Sequence, residues 1–180
     1  GAGNDTLTAG ALNDSVNAGS GDDKITDNGS NYEGWKNGDS DSGVYYVPDY
    51  VAGGNYYDLG AGNDSLNVVA DDSLQGSGFF SLNTVSGGAD NDVITIHGSA
   101  YPAQSGLNWT GLTGYNSVDL GTGHDVLTVG DDQNADTGNN SVLGGAGNDN
   151  ITIWQDGNQT INAGGDDDTV VVGGKGSGVN

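Results

Sequence analysis

One short pattern occurs seven times in this chain and constrains its fold more than any other feature. A glycine is followed two residues later by Gly or Asp, two later by Asp, and two later by an aliphatic residue. The copies are GAGNDTL at Gly1, GSGDDKI at Gly19, GAGNDSL at Gly60, GADNDVI at Gly88, GTGHDVL at Gly121, GAGNDNI at Gly145 and GGDDDTV at Gly164. Self-similarity of this kind marks a stack of like units, each burying its apolar side only against its neighbours. The first two motif aspartates, Asp5 and Asp23, set the smallest unit at 18 residues. That length accommodates two short strands and two turns.

The register extends beyond the motif. Three residues before the leading glycine stand Val16, Tyr57, Val85, Val118, Val142 and Ile161, and five before stand Asp14, Asn55, Asn83, Asn116, Asn140 and Gln159. Two residues past the motif aliphatic come Ala9, Asp27, Val68, Ile96, Val129, Ile153 and Val172, mostly apolar, with Thr, Ser and Asn between. Period two on both flanks of a turn predicts strand, turn, strand. The expected fold is therefore all-β, a parallel β-solenoid of about seven coils spaced about 4.8 Å apart, forming one unit over residues 1–180. The extra residues of longer coils, such as 28–54 and 97–114, follow the second strand and read as decorating loops on one side. Because the first residues already lie inside a motif, the chain reads as an excerpt of a longer repetitive protein.

Composition narrows the function. There are 24 aspartates and one glutamate against three lysines and no arginine, a formal net charge of -22. Such a chain repels itself when compact, and a cation relieves that. The preference for Asp over Glu fits short carboxylates placed beside tight turns. Nucleic acid and anionic membranes are excluded as partners, since both are bound through Lys and Arg, and no apolar stretch is long enough to span a bilayer. With no cysteine, disulfides and thiolate metal sites are excluded. Two histidines and Glu33 isolate no nucleophile with its base and no acid–base pair, so no enzyme is expected.

The run Gly144-Gly145-Ala146-Gly147-Asn148-Asp149-Asn150-Ile151-Thr152 matches every defined position of G-G-x-G-x-D-x-U-x, the calcium-binding repeat of RTX proteins. Asp5, Asp14 and Asp23 also follow its nine-residue period. The chain resembles the RTX family, which includes S-layer proteins, large adhesins and secreted bacterial enzymes. The resemblance implies a right-handed parallel β-roll, secreted by a type I system, with several Ca²⁺ ions held between consecutive turns.

Calcium takes six to eight oxygen ligands, and a glycine turn can aim backbone carbonyls inward without side-chain clash. The expected metal ligands are the carboxylates of Asp5, Asp23, Asp64, Asp92, Asp125, Asp149 and Asp168. Carbonyls would come from Gly1, Gly3, Gly19, Gly21, Gly60, Gly62, Gly88, Gly121, Gly123, Gly145, Gly147 and Gly164. Asp90 and Asp166 replace the second glycine and either add a ligand or strain the turn. His124 reads as a solvent-facing turn residue. Asp71, Asp132 and Asp156 form a weaker second column, either further calcium sites or solvated turns. The column from Asn55 to Gln159 reads as a ladder of stacked amides.

The function these features suggest is a calcium-dependent structural segment of an extracellular bacterial surface protein, whether S-layer, filament or giant adhesin. The alternative is a secretion or carbohydrate-binding module of a secreted hydrolase, epimerase or toxin. Expected partners are further repeats or other copies of the chain. Cell-surface polysaccharide is a further candidate, suited to the aromatic residues Tyr45, Tyr46, Tyr50, Phe79, Phe80, Tyr101, Trp109 and Tyr115, which are assigned to the loops.

Overall fold

The computed structural model describes residues 1–9, 14–27, 52–68, 80–96, 113–130 and 137–173. Every motif turn is followed by a strand, and every turn from Gly19 onward is also preceded by one, as the alternation of apolar and polar residues requires. The strands that follow the turns are β1 (Thr6–Ala9), β3 (Lys24–Asp27), β5 (Ser65–Val68), β7 (Val93–Ile96), β9 (Val126–Val129), β11 (Asn150–Ile153) and β13 (Thr169–Val172). Those that lead into them are β2 (Ser15–Ser20), β4 (Ala52–Ala61), β6 (Phe80–Ala89), β8 (Thr113–Asp119), β10 (Thr137–Leu143) and β12 (Thr160–Asn162).

The first group forms a seven-stranded sheet and the second a six-stranded sheet, each in sequential order of the coils. All pairings are parallel and the motifs stay in step: Leu7 lies beside Ile25, Ile94 beside Leu127 and Ile151 beside Val170. The expected parallel roll is thus the observed fold. Coils are numbered here by their motif, so that coil 4 carries Asp92 and coil 7 carries Asp168.

The core is the thin space between the two sheets. Ile25, Leu66, Ile94, Leu127 and Ile151 project into it from one side, and Tyr57, Val85, Val118 and Val142 from the other. Val68, Ile96, Val129 and Ile153 form the third apolar column. Asp27 stands in that same column and is buried, 1% exposed. Its Oδ2 accepts hydrogen bonds from the Tyr57 hydroxyl and from Asn55 Nδ2. Tyr57 occupies a column otherwise filled by Val and Ile, and its longer side chain carries a hydroxyl to the acid. Burial and the adjacent Asp27 both raise the pKa of that phenol.

β4 and β8 begin inside the stretches 28–54 and 97–114 that the sequence assigns to loops. Phe80 and Tyr115, assigned to the loops, lie on strands β6 and β8 instead. Tyr45, Tyr46, Tyr50, Phe79, Tyr101, Trp109, Asp71 and Asp132 fall outside the described residues, as does the Phe80 side chain.

Candidate metal centre

The turns are built by two glycines for two separate reasons. The leading glycines from Gly19 to Gly164 have φ between +93° and +113°, a region that residues with a Cβ rarely adopt. They also lie against the coil before: a methyl group on Gly145 would collide with the Gly121 carbonyl oxygen, and one on Gly147 with that of Gly123. Asp90 and Asp166, which replace the second glycine, hold the same left-handed backbone at φ 76° and 78°. Their side chains are exposed, so these two carboxylates lie on the outside of the turn, with Asp90 still near enough to help raise the pKa of Asp64 and Asp92.

The motif aspartates form a continuous column. The Asp5 amide donates to Asp23 Oδ1 at 2.7 Å, Asp23 to Asp64 at 2.7 Å, and Asp64 to Asp92 at 2.9 Å. Asp92 then donates to Asp125 at 2.7 Å, Asp125 to Asp149 at 3.0 Å, and Asp149 to Asp168 at 3.0 Å. One carboxylate oxygen per coil is thereby committed to the amide of the coil before it. The other oxygen is not: Oδ2 of Asp23, Asp64, Asp92, Asp125 and Asp149 is buried with no hydrogen-bond partner. A buried carboxylate oxygen without a partner is strongly unfavourable unless a proton or a cation meets it. Burial correspondingly raises the pKa of Asp64, Asp125 and Asp149 and pushes that of Asp92 up to about 7, with neighbouring acids adding to the rise.

What faces these oxygens is visible at two turns. The point where a Cβ would sit on Gly87 lies 2.9 Å from Asp92 Oδ2 and also against the Leu120 carbonyl oxygen of the next coil. The corresponding point on Gly144 lies 2.8 Å from Asp149 Oδ2 and against the Ala163 carbonyl. Asp5 and Asp168, in the first and last coils, are only partly buried.

This donor set fits calcium. Its oxygens are hard, each of five coils holds an uncompensated carboxylate, and beside Asp92 and Asp149 glycine keeps the space free of side chains. Among the described residues no three His, Cys, Asp or Glu side chains converge, so backbone carbonyls would have to complete the coordination. Asp23, Asp64, Asp92, Asp125 and Asp149 would supply the charge. The ion would in turn give each Oδ2 the partner it lacks.

The leading-glycine carbonyls expected as ligands already accept amides of the next coil: Gly1 from Ser20, Gly88 from Thr122, Gly121 from Ala146 and Gly145 from Gly165, at 2.9–3.1 Å. Each keeps a second lone pair. The carbonyls of Leu120 and Ala163, just before the turn, are candidates the sequence reading missed. The doubled glycine of Gly144-Gly145 was the signal, because its first member leaves the space in which these oxygens meet.

Two polar ladders flank the column. The buried one is the expected amide stack: Asn83 Nδ2 donates to Asn116 Oδ1 at 2.9 Å, Asn116 to Asn140 at 2.7 Å, and Asn140 to Gln159 Oε1 at 2.7 Å. The exposed one was not foreseen. At the position before each motif aspartate, the side chain of one coil accepts the backbone N–H of the next, through Asn4, Asp22, Asn63, Asn91, His124 and Asn148. His124 faces solvent as expected, yet its Nδ1 also accepts the Asn148 amide at 2.9 Å. The signal was present in the sequence, since every residue there is Asn, Asp or His, each with an acceptor a short stem from the backbone.

In comparisons with known proteins, the family model described as the RTX calcium-binding nonapeptide repeat matches in four copies, over residues 1–26, 77–95 and 134–152. No curated protein and no solved structure matches the chain.

Proposed function

We propose that this chain of RTX calcium-binding repeats is a calcium-dependent structural segment of an extracellular bacterial surface protein, a part of a surface layer, filament or large adhesin rather than an enzyme. RTX nonapeptide repeats bind Ca²⁺ and build β-rolls, and this chain is a β-roll with such repeats. The observation that carries the reading is the line of five buried carboxylate oxygens without partners. A fold that buries them is stable only when they are neutralised, so calcium is part of what holds the coils together.

The extracellular setting rests on the same chemistry. Sites made largely of carbonyls with one or two carboxylates are of the kind that fill at the calcium levels found outside cells. A roll tied to those levels folds after export and remains unfolded where calcium is scarce. A net charge of -22 without calcium keeps the chain expanded. Far-UV circular dichroism during calcium titration of chelator-treated protein tests this. A cooperative gain of β signal that Mg²⁺ does not reproduce is expected. A β spectrum unchanged in chelator would remove calcium from the account of folding.

A further inference from the structure

The outer face of the six-stranded sheet carries a second feature, independent of the turns. Over coils 4 to 7 it forms an open groove of ≈ 590 Å³ running along the rod, across strands β6, β8, β10 and β12. Its length is lined by a row of hydroxyls in strict register: Thr84 beside Ser117, Ser117 beside Ser141 and Ser141 beside Thr160. None of these four hydroxyls has a hydrogen-bond partner among the described residues. Beside them runs a second row with Tyr115, whose side chain is 41% exposed, paired with Asn139 on the next strand. Asn139 Oδ1 accepts the Asn158 amide at 2.8 Å, which fixes the side chain and leaves its Nδ2 without a hydrogen bond among the described residues.

The floor of the groove is rigid. Behind it, on the inner face of the same strands, Asn83, Asn116 and Asn140 are buried and tied to one another by the amide ladder. The groove therefore presents a row of hydroxyls repeating every coil, about 4.8 Å, with the Asn139 carboxamide and the Tyr115 ring beside it. No charged residue lines it, although the chain holds 25 acids.

We propose that this groove binds a neutral polysaccharide lying along the rod axis. Hydroxyls and carboxamides exchange hydrogen bonds with sugar hydroxyls, and an exposed tyrosine ring offers the apolar face on which a pyranose packs. Charge selects among glycans: a net charge of -22 repels uronates and sulfated or phosphorylated chains, and a groove without acids gives no hold to a cationic one. A step of one coil per sugar-sized interval lets one chain engage several coils, so weak single contacts add along the groove.

The test is affinity gel electrophoresis of the full 180-residue chain in calcium, with hydroxyethylcellulose, soluble mannan and pullulan as neutral probes and alginate as the polyanion. Retardation by at least one neutral polysaccharide and none by alginate is expected. Tyr115→Ala and the isosteric Asn139→Asp should each weaken that binding about tenfold, the size expected for one aromatic or hydrogen-bonding contact. Thr95→Ala on the other sheet should leave it unchanged. No retardation by any neutral probe, equal retardation by alginate, or full binding by both groove variants would each overturn the proposal. Calcium-dependent circular dichroism on the same samples keeps the two ideas apart: a chain that gains its β signal but binds no glycan refutes the groove alone, whereas a chain that ignores calcium refutes the structural reading alone.

Discussion

The amide of Asp92 donates to Oδ1 of Asp125 across one coil step at 2.7 Å, while Oδ2 of that same Asp125 carboxylate is buried and unpartnered. One side chain thus does two things. Its first oxygen joins neighbouring coils, and its second is available to a cation.

These two roles separate in a pair of variants. Asp125→Asn keeps an acceptor for the Asp92 amide and removes the charge, so the calcium midpoint should rise while the metal-free chain becomes no less stable. Asp125→Ala removes both, leaves the buried Asp92 amide unsatisfied, and should cost a further 1–3 kcal/mol or so. Urea unfolding at saturating calcium, compared between the two, reads the difference. Equal loss in both would mean the charge alone matters.

The pH dependence should change sign with calcium. Without metal, folded Asp64, Asp92, Asp125 and Asp149 hold their protons to higher pH than unfolded aspartate, whose pKa is about 3.9. The folded state then binds more protons, and its stability falls as pH rises through the window that ends near the Asp92 value of about 7. Chelated protein should thus show more β signal near pH 5 than near pH 7.5. In saturating calcium the order should reverse, because protons compete with the ion for Oδ2.

The buried amide ladder should be costly to interrupt. Asn116→Ala would strand the Asn83 amide and the Asn140 carbonyl oxygen, which now meet Asn116 at 2.9 and 2.7 Å. A loss of roughly 1–3 kcal/mol is expected at any calcium concentration, read as a lower thermal midpoint with an unchanged calcium midpoint. A shifted calcium midpoint alone would place the ladder in the metal site instead.

On the exposed edge, His124→Asn should be nearly neutral and His124→Leu should cost about 1 kcal/mol, because only the latter removes the acceptor for the Asn148 amide. Gly147→Ala should be far worse than either, more than about 2 kcal/mol, since the new methyl would meet the Gly123 carbonyl at a φ of +123°. Chemical denaturation in calcium orders the three variants.

Most of the architecture is legible in the chain, because a solenoid repeats the same local decision. A glycine, a second residue with left-handed backbone (Gly, or Asp at Asp90 and Asp166) and an aspartate at fixed offsets specify each turn. Strict alternation around them, as in Val16 and Ile25, decides which side chains face inward. Identical columns then align wherever the motif recurs, so parallel register follows from spacing without knowledge of long-range contacts. The Asn83, Asn116 and Asn140 ladder was readable for the same reason. The start of β8 was not, because Thr113 and Gly114 sit outside the repeat and join a strand only by pairing with Thr137 and Gly138.

The sequence by itself determined the roll, its calcium-binding repeat and the column of motif aspartates, since each depends on residue type and spacing alone. Only the tertiary structure decided how the two oxygens of each acid divide their work, which carbonyl stands opposite Asp92 or Asp149, and that Asp27 is tolerated inside an apolar column because Tyr57 and Asn55 reach it. These depend on which atoms of adjacent coils meet across a few ångströms. Residues far apart in the chain, such as Asp27 and Tyr57, become neighbours only once the coils are stacked, and a linear pattern does not encode the direction in which a carbonyl points.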